Sequence, residues 1–226
     1  MKKLSAGKKK VFIPFLLVTF LNAMTYEDAE RIEKKDGLLK ALGSYKSLAK
    51  QNNTEAMFRL AQVYSSGKTI QRSLPKTFKL LKKASDLNHH KSTYYLGKLY
   101  LSKKSPYYNL TDAYNTFVKS ANAGYAPAEN MIGQFFANSV VVEKDYKLAV
   151  KYFEKASKQG HIDAQCNLSF MYASGKGVFP NFGRAHQFAK KGIKLGNKKC
   201  IKVWEDYNLA KYSEDKGWKF KFYTKP

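Results

Sequence analysis

Residues 163–196, DAQCNLSFMYASGKGVFPNFGRAHQFAKKGIKLG, contain the fullest copy of a pattern that recurs along the chain every 36 residues. When the sequence is compared with itself at this spacing, large apolar, small and glycine residues align without insertions between copies. In the first half of the unit the columns are Leu60, Leu96, Ile132, Leu168 and Trp204; Tyr64, Tyr100, Phe136 and Tyr172; and Ala61, Gly97, Gly133 and Ser169. In the second half they are Thr77, Ala113, Ala149 and Ala185; Leu81, Phe117, Phe153 and Ala189; and Ala84, Ser120, Ala156 and Gly192. A fixed period of this length predicts a repeat architecture.

Each half of the unit has the spacing of an amphipathic helix, with apolar residues four, seven or eight positions apart. One column before the second helix holds good N-cap residues, namely Ser73, Asn109, Asp145 and Asn181. A column just past that helix suits the left-handed C′ position and holds Asn88, Gly124, Gly160 and Gly196. Each unit is therefore predicted to form a first helix (helix A), a short loop and a second helix (helix B), which ends at a left-handed residue that is glycine in three of the four units.

These units predict an all-α chain folded as a right-handed α/α solenoid of about five 36-residue helix-turn-helix repeats. We assign residues 24–52 to N-terminal helices with a partial repeat and residues 53–197 to four full repeats. Residues 198–226 form a capping helix and a basic, aromatic tail in this scheme.

The N-terminus resembles a secretory signal. Residues 1–10, MKKLSAGKKK, hold five lysines and no acid, and an apolar run of about fourteen residues follows them. We predict a signal peptide over residues 1–23 and an exported, periplasmic or secreted protein, with an uncleaved segment as the only membrane attachment. The two cysteines of an exported chain could then pair.

The formal net charge is +24, and only four of the basic residues are arginines. Because arginine supplies most bidentate contacts to bases and phosphates, this lysine bias argues against nucleic acid as a partner. The excess positive charge favours an acidic ligand instead.

The columns resemble the Sel-one-like repeat family, a variant of the tetratricopeptide superfamily, over about residues 37 to 211. The third unit departs from the pattern at NSVVVEKD, which lacks the loop glycines. The resemblance implies a superhelix whose A helices line a concave face that binds other proteins, in adaptors and in exported bacterial proteins. Some exported, cysteine-rich members bind or hydrolyse β-lactams. Their disulfide columns match Ser157 with Gln165 and Ile193 with Ile201, so neither Cys166 nor Cys200 occupies them.

Several residues could carry chemistry, and each has a structural interpretation. His161 and Asp163 fall at a helix B to helix A connection, and the SGKG that ends at Gly177 is a loop of the repeat, whereas a phosphate loop would follow a strand. The Ser-x-x-Lys matches at Ser47 and Ser73 lack the companion elements of a serine β-lactamase. The remaining candidates are the adjacent histidines His89 and His90, which have no accompanying ligand cluster. We predict no catalytic residue, metal or cofactor.

The cysteines leave two possibilities open. Cys200 shares a small buried column with Ala164, and Cys166 lies two positions further on, toward the other side of helix A. The alignment of the repeats does not place the two cysteine side chains opposite each other, yet the two A helices that carry them are neighbours. Either a disulfide or two thiols is compatible with the sequence.

We call the column that begins with Leu60 and Leu96 the leucine column. By analogy with tetratricopeptide grooves, the residues two positions before and two positions after it should face the concave side of the solenoid. The predicted partner-binding residues are Phe58, Gln62, Tyr94, Lys98, Asn130, Gln134, Cys166 and Phe170. Aromatic, amide and lysine side chains suit the capture of an extended peptide. The favoured function is an exported adaptor or scaffold that binds an acidic protein or peptide. The alternative is an enzyme that binds or hydrolyses β-lactams or cell-wall fragments.

Overall fold

The computed structural model describes residues 24–215 and Gly217, so the predicted signal peptide and most of the basic tail lie outside the described residues. This part of the chain is helical and contains no strand. The helices are α1 (Tyr26–Asp36), α2 (Leu38–Lys50), α3 (Thr54–Ser66), α4 (Leu74–Asp86), α5 (His90–Leu101), α6 (Leu110–Asn122), α7 (Ala126–Asn138), α8 (Tyr146–Lys158), α9 (Ile162–Ser174), α10 (Phe182–Lys194) and α11 (Lys198–Asp206). A short 3-10 turn, Leu209–Lys211, follows α11.

The 36-residue period is confirmed by the helix boundaries. The A helices α3, α5, α7, α9 and α11 begin at residues 54, 90, 126, 162 and 198. The B helices α2, α4, α6, α8 and α10 begin at residues 38, 74, 110, 146 and 182. Each helix packs mainly on the next one along the chain, and α11 also packs on α9. The fold is an all-α solenoid, as predicted.

The caps follow the predicted columns. Ser73, Asn109, Asp145 and Asn181 each accept a hydrogen bond from the backbone N–H three residues on, at 3.4, 3.1, 2.8 and 2.9 Å. Their own N–H groups donate to the carbonyls of Tyr64, Tyr100, Phe136 and Tyr172 at 2.8–3.1 Å. The same column therefore starts helix B and ties it to helix A of its own repeat.

The third repeat keeps the loop backbone without the loop glycines. In repeat four, Gly175 and Gly177 have φ angles of +69° and +74°. Ser139 and Val141 occupy the equivalent positions with φ angles of +55° and +66°. Packing of the repeat thus holds a valine in a conformation that normally favours glycine, at a cost on the order of 1–3 kcal/mol.

The core of the middle repeats depends on complementary sizes of helix A and helix B residues. A Cβ added to Gly97 would lie 2.8 Å from the Phe117 ring, and one added to Gly133 would lie 2.5 Å from the Phe153 ring. Both rings are almost wholly buried. The glycines therefore make room for the phenylalanines, which fill the space between neighbouring hairpins.

Polar clusters fix the two ends of the described solenoid. Glu33 of α1 accepts hydrogen bonds from Tyr45 Oη at 2.7 Å and from Arg59 Nε at 3.0 Å, and the second Arg59 nitrogen completes a bidentate pair. At the other end, Asp215 accepts from Arg184 Nε at 2.9 Å and from Asn181 Nδ2 at 3.1 Å. The first cluster joins α1, α2 and α3, and the second holds the chain after α11 against α10.

Cys166 and Cys200 form a disulfide with their Cα atoms 4.7 Å apart. The expectation that the repeat frame keeps them from facing each other is wrong. Contacts between neighbouring A helices join residues 34 apart, as Asp163 with Asn197 at 2.7 Å and Glu55 with His89 at 3.1 Å also do. At these two helix pairs, α9 with α11 and α3 with α5, residues 34 apart therefore lie opposite each other, a displacement of two residues, or about 3 Å, from the 36-residue period.

Gly192 makes room for this disulfide. A Cβ at Gly192 would lie 2.2 Å from Cys200 Sγ and 3.1 Å from Cys166 Sγ. The same helix B column holds Ala84, Ser120 and Ala156 in the earlier repeats. A glycine here removes the one side-chain atom that would collide with the sulfurs.

Candidate functional site

The described A helices line two cavities on one side of the solenoid, which we call the N-terminal and C-terminal cavities. The N-terminal cavity, of about 380 Å³, lies between α3, α4 and α5 and is lined by Phe58, Gln62 and Lys98 among others. The C-terminal cavity, of about 360 Å³, lies between α7, α8, α9 and α11 and includes Gln134 and Phe170 in its lining. All four predicted residues that follow the leucine column by two positions therefore line a cavity.

The predicted residues that precede the leucine column pack between helices, and of these Phe58 also lines the N-terminal cavity. Phe58 is only 3% exposed, and its ring packs 5.7 Å from that of His89 and 5.1 Å from that of Tyr95. Tyr94 is half-buried against the rings of Phe117 and Tyr125. These aromatic rings hold neighbouring repeats together.

The other two residues of this group are buried polar or sulfur side chains. Asn130 accepts a hydrogen bond from Asn167 Nδ2 at 2.7 Å, and Cys166 is fully buried in the disulfide. The prediction of Cys166 as a partner-binding residue is corrected, because it presents no accessible atom. These positions therefore face the neighbouring helix of the solenoid.

The N-terminal cavity has an apolar floor and an ammonium at its edge. Phe58, Leu81 and Leu99 contribute apolar surface, and the Lys98 ammonium lies 5.4 Å from the centre of the Tyr95 ring. Gln62 adds an amide to the rim. Such a site can hold an apolar side chain while hydrogen-bonding a neighbouring peptide group.

The C-terminal cavity has a larger share of charged residues. Its apolar surface comes from Phe153, Met171 and Val203, and its lining includes Lys176, Lys199, Lys202 and Asp206. Lys199 Nζ donates to Asn167 Oδ1 at 2.6 Å, and Asn167 in turn donates to Asn130. Lys202 Nζ lies 3.0 Å from a carboxylate oxygen of Asp206.

Sequence reasoning missed Tyr95, Asn167, Lys199 and Lys202 as cavity residues. It compared equivalent columns at a spacing of 36, whereas Asn167 and Lys199 meet at a spacing of 32 and Asn130 and Asn167 at 37. These spacings depend on the tilt and displacement of successive helices.

The residues that first suggested catalysis have structural roles. His161 is the N-cap of α9, where its Nδ1 accepts from the Ala164 N–H at 3.2 Å, and Asp163 Oδ1 accepts from Asn197 Nδ2 at 2.7 Å. Ser73 caps α4, and Ser47 is exposed on α2. Together with the disulfide at Cys166, this geometry leaves no thiol beside His161.

The adjacent histidines His89 and His90 lie in different surroundings. His89 Nδ1 lies 2.7 Å from Ser92 Oγ and its Nε2 lies 3.1 Å from Glu55, whereas His90 is exposed. Over residues 24–215, no group of three or more His, Cys, Asp or Glu side chains could hold a metal ion.

In the same part of the chain, every helix is too short or too polar to cross a membrane.

We expect the His161 cap to make stability pH-dependent. Burial lowers the pKa of His161, and the nearby Asp163 carboxylate opposes this only in part. Its neutral ring stabilises the fold fully above the unfolded-state pKa, about 6.5. This stabilisation is lost as pH falls through the lower folded-state pKa, because protonation removes the acceptor for Ala164.

His161→Asn supplies a cap that does not titrate. Between pH 7.5 and 5, the wild type should lose about 1 kcal/mol of unfolding free energy relative to His161→Asn. Urea denaturation of both proteins across this pH range measures the difference. The contributions of the other histidines to the pH dependence cancel, because both proteins contain them. Parallel stability curves for the two proteins would show that His161 does not titrate as an N-cap.

The Sel1 repeat family matches residues 54–89, 126–161 and 162–197. No curated protein matches the chain. Among solved structures, a protective antigen of uropathogenic Escherichia coli with an SLR fold superposes with a TM-score of 0.73 and 21% identity. That alignment covers 83% of this chain and 41% of the antigen, so this chain spans less than half of that protein.

Two further solved structures are similar. A Sel1 repeat protein from Oxalobacter formigenes has a TM-score of 0.71 and 24% identity, covering 80% of this chain and 75% of that one. An immunity protein from Pseudomonas aeruginosa has a TM-score of 0.57 and 20% identity, covering 87% and 75%. At these identities the likeness concerns the fold alone. The three stretches matched above are therefore Sel1 repeats, and they lie within a solenoid that has a 36-residue helical period.

Proposed function

We propose that this protein is an exported binding module that captures a protein or peptide along the side of the solenoid lined by its A helices. Sel1 repeats generally mediate protein–protein interactions. The observation that carries the proposal is the pair of cavities on this side, each with apolar surface and a rim of amide and lysine side chains. An extended peptide can place alternate side chains in such cavities while its backbone bonds to the rim amides.

The partner should be acidic. The chain has 41 lysines and arginines against 17 aspartates and glutamates. A surface of this charge attracts negative ligands over a Debye length and raises their association rate. Lys98 and three lysines of the C-terminal cavity extend that charge to the cavity rims.

Two observations support export. Residues 1–23 combine a lysine-rich start with an apolar run, as a secretory signal does. The chain also has a disulfide, and disulfides persist mainly in oxidising compartments. Cell fractionation with N-terminal sequencing of the mature protein tests this part of the proposal, and a cytosolic protein that retains Met1 would contradict it.

Capture from the envelope of the cells that produce the protein tests binding. The variant Gln62→Ala, Lys98→Ala, Gln134→Ala, Phe170→Ala changes cavity residues that are not in the core. A matched control changes Gln71, Lys79, Asn115 and Phe179 to alanine, all of which are exposed and line neither cavity. We expect the wild type and the control to retain one saturable protein partner.

The cavity variant should bind that partner at least about tenfold more weakly in calorimetry, since cavity anchors carry most of the binding energy of an interface. If the control loses the partner equally, or if both variants keep it, this side of the solenoid is not the binding surface. Circular dichroism and thermal unfolding of both variants confirm that each remains folded.

A further inference from the structure

The C-terminal cavity differs from the N-terminal one in the charge of its lining. Among the described residues, three lysines and one aspartate line it, whereas Lys98 is the charged residue of the N-terminal cavity. Asp206 offsets one of the three lysines through an exposed pair with Lys202, whose ammonium has two further donors. Asp163 acts on Lys199 electrostatically and is itself hydrogen-bonded to Asn197. The cavity therefore keeps an excess of positive charge.

The Lys199 ammonium is held in position by other side chains. Its bond to Asn167 Oδ1, and the bond from Asn167 to the buried Asn130, form a chain of oriented amides across α11, α9 and α7. Desolvation lowers the pKa of Lys199, and the Asp163 carboxylate offsets this only in part. A lysine ammonium has three donors, so the one that binds Asn167 leaves others to direct at a ligand.

Aromatic and apolar side chains lie directly beside these cations. The Lys176 ammonium lies 4.9 Å from the centre of the Phe170 ring and 5.5 Å from that of Tyr146. Met171 and Val203 add aliphatic surface. An occupant that satisfies both parts of the lining has an apolar side chain next to negative charge.

We propose that the C-terminal cavity is a subsite for an acidic peptide segment, which inserts one aromatic or large aliphatic side chain while flanking carboxylates bind Lys199 and Lys202. This inference rests on the proposed function and names the chemistry of the partner at one of the two cavities. Carboxylates suit ammonium donors that are held in place before binding, because little side-chain entropy is then lost.

The disulfide is part of this subsite because it holds the wall that carries the lysines. Lys199 adjoins Cys200, Asn167 adjoins Cys166, and the disulfide therefore fixes α11 to α9 beside the Lys199–Asn167 bond. Since α11 is the last A helix in the described chain, it has a neighbouring A helix on only one side. The covalent link substitutes for the packing that a following repeat would supply.

Fluorescence anisotropy with a labelled peptide, Gly-Glu-Glu-Phe-Glu-Glu-Gly, tests the proposal at peptide concentrations up to about 1 mM, where weak complexes are detected. Two comparison peptides replace every Glu by Gln, or Phe by Ala. Both should bind the wild-type protein at least about tenfold more weakly, because each removes one of the two complementary features.

The protein variants change charge at matched positions. Lys199→Gln with Lys202→Gln removes two cavity lysines and should weaken binding of the acidic peptide about tenfold or more. Lys191→Gln with Lys198→Gln removes the same charge from exposed positions outside the lining and should change affinity less than about twofold, as screened charges do. Both variants are checked for native circular dichroism and thermal unfolding.

Three outcomes would overturn the inference: absence of binding by the wild type, equal binding of the Gln peptide, or equal losses in the two protein variants. The last would indicate attraction by net charge without a subsite. These results are separable from the proposed function, because the captured partner could still depend on Gln62 and Lys98 of the N-terminal cavity.

Discussion

Phe153→Ala should lower the free energy of unfolding by about 3–5 kcal/mol, the largest effect we expect from a single substitution. Phe153 is 1% exposed and packs where Gly133 leaves room for its ring. The substitution removes the ring from a core that joins repeats three and four, and the glycine opposite cannot fill the space. Chemical denaturation of the purified variant measures the loss.

Phe179→Ala is the matched control, because Phe179 is the same residue type and is 94% exposed in the loop before α10. Its effect should stay within about 0.5 kcal/mol, as for most surface substitutions. Equal stability of the Phe153 variant and the wild type would mean that this aromatic column does not form the core between the hairpins.

Removing the disulfide by Cys166→Ser with Cys200→Ser should cost about 4 kcal/mol. The bond closes a loop with a sequence separation of 34, and this loop restricts the unfolded chain by roughly that free energy in the chain-entropy estimate. Thermal and chemical unfolding under non-reducing conditions measure the difference from the wild type.

Reductant provides the control for this prediction. In denaturant with excess dithiothreitol, the wild type should unfold with the lower stability of the double serine variant, and the variant itself should not respond to reductant. A double serine variant as stable as the oxidised wild type would show that the bond adds nothing to the fold.

The period alone was enough to predict the helices, because each boundary depends on local chemistry. The N-cap residue Asn181 and the C′ residue Gly196, like their equivalents, act within one turn of their own helix. The pairing of glycine with phenylalanine at Gly133 and Phe153 could also be found by aligning columns, since both residues belong to one hairpin. Helix order, repeat number and the residues that follow the leucine column were predictable for the same reason.

Contacts between repeats were not predictable from equivalent columns. The packing of α11 against α9 brings together Cys166 and Cys200, which are 34 residues apart, and Asn167 and Lys199, which are 32 apart. These spacings result from the packing of whole helices, which no local pattern encodes. The same packing buries Phe58 and Asn130, which the columns alone would place on the surface.

The sequence by itself thus determined the repeating hairpin, its caps and the basic character of the chain, because these follow from residue spacing and composition. The tertiary structure decided which side chains meet across hairpins: the disulfide, the amide chain that ends at Lys199, and the lysines beside the C-terminal cavity. The physical reason is that neighbouring repeats contact each other through helix faces whose relative displacement is set by close packing along the whole solenoid.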